Sequence, residues 1–500
     1  MQANQAEAPL ILTIDAGTSS VRVMLFDRSG HPIPEVLGHE RYSTHTTAEG
    51  ASEDNSDEML ERIGRCIDQA LAQAGSLADK IGGVAVDTLV SNIIGVDAAG
   101  KPLTPLITYA DTRNAQDAAA LLLQVEERVV HERTGCMLRT SYWPARLAWL
   151  HRTQPEAWQK AARWITLGEY LELRFFGKSR VSFSAASWSG LLNRHTLSWD
   201  EPLLKALHLT PDHLSPLVDV NEPLHGLASP YAERWPALRS VPWFPAIGDG
   251  AAANVGSGCL DHSRIALTIG TSGAMRVTTT ELPTVPAGLW CYRIDRKRLL
   301  LGGATSEGGN VYAWMQQTFH LDDQAAIEKQ LEAMPPDGHG LTILPFFAGE
   351  RSPGWAGDVR ATITGLSLHT RPIDMLQAAL EAVAFRFALI QQRICEQQYC
   401  QHQFVASGGG LLNSPAWMQI MADALGRPVI ASTEPEATSR GAALLALEAL
   451  GTLPSIGAIP AADGKVYQPR AAHYQRYQDA IRRQQELYNL LIARHGPADR

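Results

Sequence analysis

One motif occurs twice in this chain, and the repeat narrows its choice of folds more than any other feature. The stretch LTIDAGTSSVRVMLFD (12–27) is an apolar strand running into Gly17-Thr18-Ser19. IALTIGTSGAMRV (265–277) repeats that strand and ends in Gly270-Thr271-Ser272. The triplets stand 253 residues apart (270 − 17) in a chain of 500. Two copies of one local device, half a chain apart, describe two related lobes that each offer a loop to something held between them.

The pattern around each copy is α/β. In the first half, DRSG closes a hairpin after the second strand, and Met59, Ile63, Ile67 and Leu71 recur at helical spacing behind a Ser56-Asp57 cap. IGGVAVDTL and SNIIGVDAAGKPL read as further strands with a turn at Ala99-Gly100, and 117–176 reads as mostly helical. In the second half, RKRLLLGGAT continues the strands, and helices are expected over 372–395 and 415–425. The last helix sets Tyr474, Tyr477, Ile481 and Tyr488 on one face, a packing stripe. Strands crossed by helices make an α/β lobe. The division is expected in the Pro- and Trp-rich connection 220–245, giving domains 1–243 and 244–500.

Composition excludes several classes. A net charge of −9 leaves nothing to attract nucleic acid or anionic lipid. No run approaches the roughly 18 apolar residues of a membrane span, and MQANQAEAPL lacks the basic and apolar regions of a signal peptide. Cys66, Cys136, Cys259, Cys291, Cys395 and Cys400 are scattered without CxxC spacing, against both a zinc site and a disulfide framework. Free thiols in a cytoplasmic protein are the expectation.

The loops carry the chemistry. A Gly-Thr-Ser turn presents backbone N–H groups and small hydroxyls, a concavity that suits phosphate, although any hairpin can use the same residues. Neither copy is a Walker loop, since no GxxxxGK[ST] occurs. Asp15 ends an apolar strand where a structural residue would be apolar; a carboxylate beside a phosphate cradle repels it unless a cation such as Mg²⁺ lies between. Asp249, in PAIGDGAAANVGSG, is the second lone acid, flanked by glycines that let a substrate hydroxyl approach. Such an acid can accept the hydroxyl proton during phosphoryl transfer. Gly248-x-Gly250-x-x-Ala253 also mimics a dinucleotide fingerprint, but the next strand runs into Gly270-Thr271-Ser272 and not into the required acid. In ASGGGLLN, Gly408 to Gly410 offer a flat surface for a base or ribose with Asn413 in reach; a tight strand-to-helix turn would use the same residues.

The ordered series IDAGTSS, YADTR (109–113), AIGDGAAANVG, TIGTSG, LPFFAGERSPGW (344–355), ASGGGLLN and ATSRGAALLA resembles the FGGY carbohydrate kinases of the hexokinase–actin ATPase-core superfamily. The resemblance covers nearly the whole chain. It implies two ribonuclease-H-like lobes around a central cleft, with sugar against the first lobe and ATP against the second. By motif match Asp15 would hold Mg²⁺, and Gly17, Thr18 and Ser19 would meet the transferred phosphate. Gly270, Thr271 and Ser272 would cradle ATP phosphates, Gly408, Gly409 and Asn413 would face adenosine, and Asp249 would be the general base. The motif places Asp111 and Arg113 either on the substrate side or in a structural ion pair. The implied cofactors are ATP and Mg²⁺, the partner is a small sugar or sugar acid, and a homodimer is compatible with the family.

Within that family the pattern is most similar to gluconokinases, through 133–178 and GLWCYRID…LLLGGATSEGGNVYAW. The departures fall where sugar should bind. Val90-Ser91 occupies the place of a Met-His pair, Arg139 that of a histidine, Tyr109 that of a tryptophan, and Glu307 that of an asparagine. An added arginine suits the carboxylate of an aldonate, whereas an added glutamate argues the other way unless it accepts from sugar hydroxyls. The expectation is a sugar-acid kinase, with D-ribulose, D-xylulose and polyol kinases and a non-catalytic sugar-binding module as alternatives; retention of Asp15 and Asp249 speaks against the last. Asp15 and Asp249 are expected to come from opposite halves of the chain and face one gap.

Overall fold

The protein is described by a computed structural model covering residues 5–321, 323–397 and 402–492. Cys400 and the first four residues of MQANQAEAPL lie outside the described residues.

The first lobe is built on a five-stranded sheet. β1 (Leu10–Ala16), β2 (Ser20–Phe26) and β3 (Pro32–Arg41) run antiparallel as a meander, and β4 (Ile81–Thr88) and β5 (Ile247–Gly248) add in parallel on the other side, in the order β5-β4-β1-β2-β3. All seven β1 residues are buried, because elements cover both faces of the sheet. On one face lies α1 (Ser56–Ala74), which buries Met59, Ile63, Ile67 and Ala70. Its cap is Asn55, whose side chain accepts from the N–H groups of Asp57 and Glu58, one residue before the expected cap. After β5 comes α2 (Asp249–Gly256). Because β5 pairs with β4, the first sheet extends past the expected division at 243/244. The Pro- and Trp-rich connection is part of the lobe: Trp243 lies across from Val84 of β4.

The second lobe repeats the plan. β6 (Arg264–Ile269), β7 (Gly273–Thr279), β8 (Trp290–Arg293), β9 (Leu299–Thr305), β10 (Gln403–Ser407), β11 (Val429–Ser432) and β12 (Asp463–Tyr467) form one sheet in the order β8-β9-β7-β6-β10-β11-β12. Its inner five strands, β9-β7-β6-β10-β11, reproduce the antiparallel and parallel pairings of β3-β2-β1-β4-β5. The buried α3 (Pro372–Cys395) and α4 (Pro415–Leu425) have the bounds expected from the sequence. Ser414 caps α4 and left-handed Gly426 ends it. Between the lobes α2 meets α5 (Ala437–Ala449) backbone to backbone. A methyl group on Gly256 would lie 1.8 Å from the Ala437 carbonyl oxygen, and one on Gly441 would lie 1.8 Å from that of Ala252. An apolar cluster of Ile11, Phe26, Ala252, Val255, Leu444 and Tyr292 ties both sheets to this crossing.

The final helix, α6 (Ala471–Leu491), buries Tyr477 and Ile481, while Tyr488 donates to Glu350 at 2.7 Å and Tyr474 is exposed. No described helix is long and apolar enough to cross a membrane.

Candidate active site

Three neighbouring parallel strands end at one edge of the first sheet, and each brings an acid there. Asp15 on β1 is the register partner of Asp87 on β4, so the side chains share a face of the sheet. Gly248, at the end of β5, pairs with Thr88, and the chain then enters α2 at Asp249. Asp15 and Asp249 are brought together, but both from the first sheet and not from opposite halves as expected. The reason is β5, which returns to the first lobe before the second begins.

The electrostatics are those of crowded, dry carboxyls. Burial, then the charge of Asp249, pushes Asp15 up to about 6, against the opposing pull of a hydrogen bond with Asp87 and of Arg22. Asp87 is fully buried, and among the described residues no group other than the neighbouring Asp15 carboxyl, by way of a shared proton, is there to meet its carboxylate oxygens. Burial and the charges of Asp15 and Asp249 raise it well above the usual carboxylate range. Burial also raises Asp249, while the Gly250 N–H, 2.7 Å from Oδ1, and Arg276 pull it back. Arg22 stands 4.0 Å from Asp15 and 3.6 Å from Glu436. The site as it stands holds more negative charge than its cations offset. For Mg²⁺, Asp15 offers a hard oxygen ligand and Asp87 offers two unsatisfied ones, a donor set suited to an ion that takes one or two carboxylates and keeps its waters.

Asp249 opens onto a cavity of about 160 Å³ between the lobes. Its wall is aromatic: Trp188 stacks on Tyr292 with ring centres 3.7 Å apart, Trp290 stacks behind at 4.4 Å, and the Tyr142 and Tyr292 hydroxyls bond at 2.6 Å. The glycines beside Asp249 answer to this wall. A methyl group on Gly248 would come within 2.6 Å of Trp188 Nε1, and one on Gly250 within 3.0 Å of its ring. They make room for an indole, a reason the sequence does not show.

The twin loops have the same exposure, half-buried glycine followed by exposed threonine and serine. They differ by one residue: Gly17 N–H donates to Ser20 O at 3.1 Å, and Gly270 N–H to Ser272 O at 3.0 Å. The first is held from below by Tyr42, whose hydroxyl donates to the Gly17 carbonyl. Around the second, three glycine segments touch by backbone. Gly309 N–H donates to Gly270 O at 2.8 Å, and a methyl group on Gly410 would lie 2.8 Å from that same oxygen. Gly408 has φ of 87°, which favours glycine. Gly409 begins the short helix Gly409–Leu412, and Asn413, exposed just beyond it, keeps its side chain toward Gly409.

The substrate-side residues divide. Ser91 lines the cavity in a left-handed conformation, with its hydroxyl spent on the Trp188 carbonyl at 2.6 Å. Tyr109 lines it too. Asp111 and Arg113 do not: they form an ion pair, joined by Glu53 at 2.7 Å from Arg113 and stacked on Trp149, that braces the loop presenting Tyr109. Arg139 also lies outside the cavity lining; its guanidinium pairs with Glu127 and donates to the Leu138 carbonyl. The expected carboxylate partner is therefore already partnered, by an acid 12 residues away that sequence adjacency hides. Glu307 is buried, accepts from Ala348 N–H at 3.1 Å and is pushed up to about 7 by burial. It does not line the cavity, so its charge does not bear against an acidic substrate there.

Sequence reasoning missed Asp87, Arg276, Arg351, Trp188 and Tyr292. Asp87 had a signal, being a lone acid at the end of an apolar strand like Asp15. Arg351 lies in GERSPGW, part of the ordered motif series. The others become visible only through the folded wall.

Models of the FGGY carbohydrate kinase N-terminal and C-terminal domains match residues 10–256 and 265–450. A gluconokinase of Bacillus subtilis (strain 168) is 28% identical over 470 residues, 91% of each chain. Two solved structures from Lactobacillus acidophilus share the fold. A ligand-bound xylulose kinase has a TM-score of 0.90 at 24% identity, covering 97% of this chain and 98% of its own. A gluconate kinase has 0.89 at 24%, covering 96% and 98%.

Proposed function

The chain belongs to the FGGY family of carbohydrate kinases, enzymes that phosphorylate sugars with ATP, and from that premise we propose that it phosphorylates a sugar acid, gluconokinase-like, turning D-gluconate into 6-phospho-D-gluconate. The observation that carries this reading is Asp249 in the wall of an aromatic cavity that Arg276 and Arg351 also line.

Asp249 is the general base. Its Oδ1 is held by the Gly250 N–H, so the substrate proton goes to Oδ2. As the O–H bond breaks, the alcohol oxygen forms a bond to the γ-phosphorus, and the bond from that phosphorus to the bridging oxygen breaks with its electron pair left on ADP. Burial raises Asp249 above the usual carboxylate value, which makes it a stronger proton acceptor than a free aspartate. Gly270, Thr271 and Ser272 hold the ATP phosphates, Gly17, Thr18 and Ser19 meet the one in transfer, and Gly408, Gly409 and Asn413 carry the adenosine. Asp15, with Asp87 beside it, would hold Mg²⁺, which when bound neutralises phosphate charge. The aromatic wall excludes water that would otherwise hydrolyse ATP.

Purified protein is to be supplied with Mg-ATP and a panel of aldonates, ketopentoses and polyols, with ADP release as readout. An aldonate should have the highest kcat/KM; a ketopentose or polyol in that place would overturn the sugar-acid reading and leave the kinase class standing. Asp249→Asn should lower kcat by about 10²–10⁴-fold with ATP affinity little changed. A near-normal rate would remove the base assignment.

A further inference from the structure

The cavity brings both signs of charge together. Asp249 lines it with Arg276, on β7, and Arg351, in the loop after the strand Thr342–Leu344; Arg276 is the nearer to the acid, since a methyl group on Gly250 would lie 3.4 Å from its Nε. Among the described residues, neither guanidinium has an acid in ion-pair contact. Arg276 makes one long contact, Nη1 to Thr268 Oγ1 at 3.5 Å, and Nε of both arginines is buried without an acceptor. Arg351 lies 6.0 Å from the Trp355 ring. The positive field of Arg351 reaches Tyr142, Tyr292 and Arg276, and Arg276 in turn feels Asp249. Two guanidiniums lining one cavity repel, and a buried Nε left without an acceptor is costly. Arg139, by contrast, is paired with Glu127.

We propose that Arg351, backed by Arg276, anchors the carboxylate of an aldonate whose far hydroxyl is presented to Asp249. A planar carboxylate accepts two parallel bonds from a guanidinium. That fixes one end of a flexible chain, and the stacked Trp188 and Tyr292 give its carbon backbone a wall. The arrangement sets chain length as well as charge: the hydroxyl that is phosphorylated is the one that reaches Asp249 while the carboxylate stays on Arg351. This inference rests on the sugar-acid reading above.

The test compares D-gluconate with D-glucitol, its neutral six-carbon counterpart, on wild type, Arg351→Gln, Arg351→Lys and Arg276→Gln. Wild type alone decides the earlier reading: if it turns over glucitol better than gluconate, the sugar-acid assignment fails whatever the variants do. Given gluconate turnover, Arg351→Gln should reduce the gluconate-to-glucitol ratio of kcat/KM by about thirtyfold or more, mostly through KM, with Arg351→Lys recovering part of it. Calorimetric binding of gluconate to Asp249→Asn protein, with and without Arg351→Gln, repeats the measurement without turnover and should show the same loss. An equal fall for both substrates would mean that the guanidinium serves the phosphate or the fold, and would overturn the proposal. An unchanged ratio would overturn it as well.

Discussion

In the first lobe β1 and β4 bring Asp15 beside Asp87; at the equivalent place in the second lobe β6 and β10 bring Thr268 beside Ser407. The strand pairing is the same, and the chemistry is opposite. Two hydroxyls complete each other, one donating and one accepting, and here they lie 2.9 Å apart. Two carboxylates have only acceptors, so they stay unsatisfied unless a proton or a cation joins them. The duplicated fold thus keeps a neutral, self-contained joint under Gly270-Thr271-Ser272 and an incomplete, charged one under Gly17-Thr18-Ser19. The difference teaches where the fold is finished by itself and where it waits for something else.

The comparison can be broken most severely from the acidic side. Asp15→Thr gives the first lobe the second lobe's residue, and turnover should fall about a hundredfold or more, because several kcal/mol of charge stabilisation goes with the cation. ADP release measures that, with ATP binding by calorimetry as a check on the fold. Next is pH. The folded-state value of Asp15 is raised, to about 6 from an ordinary 3.8, so its contribution to stability is present below pH 4 and is lost as pH rises through about 6. In metal-free protein this term amounts to up to about 3 kcal/mol. Denaturant titrations from pH 4 to 8 should show the decline, and Asp15→Thr should flatten it. Asp87→Asn puts a donor into the acid slot without changing shape. It should stabilise the metal-free protein at pH 7.5 by about 1–3 kcal/mol, read from the denaturation midpoint. The smallest effect belongs to the finished joint: Ser407→Ala should cost about 0.5–1.5 kcal/mol in the same titration. A much larger cost would mean that the hydroxyl pair also serves the nucleotide.

Much of this architecture was legible because it repeats. The Gly-Thr-Ser loops, the lone acids Asp15 and Asp249 and the long helices α3 and α4 each announce themselves within a dozen residues. What stayed hidden depends on register and on distance. Asp87 acquires meaning only when β4 pairs with β1, 72 residues upstream (87 − 15). The division at 243/244 missed β5, whose two residues belong to the first sheet only through that same β4. Arg139 and Arg351 look alike as letters; the first is taken up by Glu127, the second faces the cavity. Charge on a string does not say which charges are already answered.

The glycine crossing of α2 and α5 carries a consequence for Asp249, the proposed proton acceptor. Asp249 opens α2 and Gly256 closes it, eight residues or about 12 Å of rigid rod. One tip bears Asp249, and the other presses bare backbone on α5. With no side chain there to act as a cushion, any tilt of α5 is delivered to Asp249 without slack. A methyl group on either glycine would therefore shift Asp249 from the far end of the lever, without changing the identity of any residue lining the cavity.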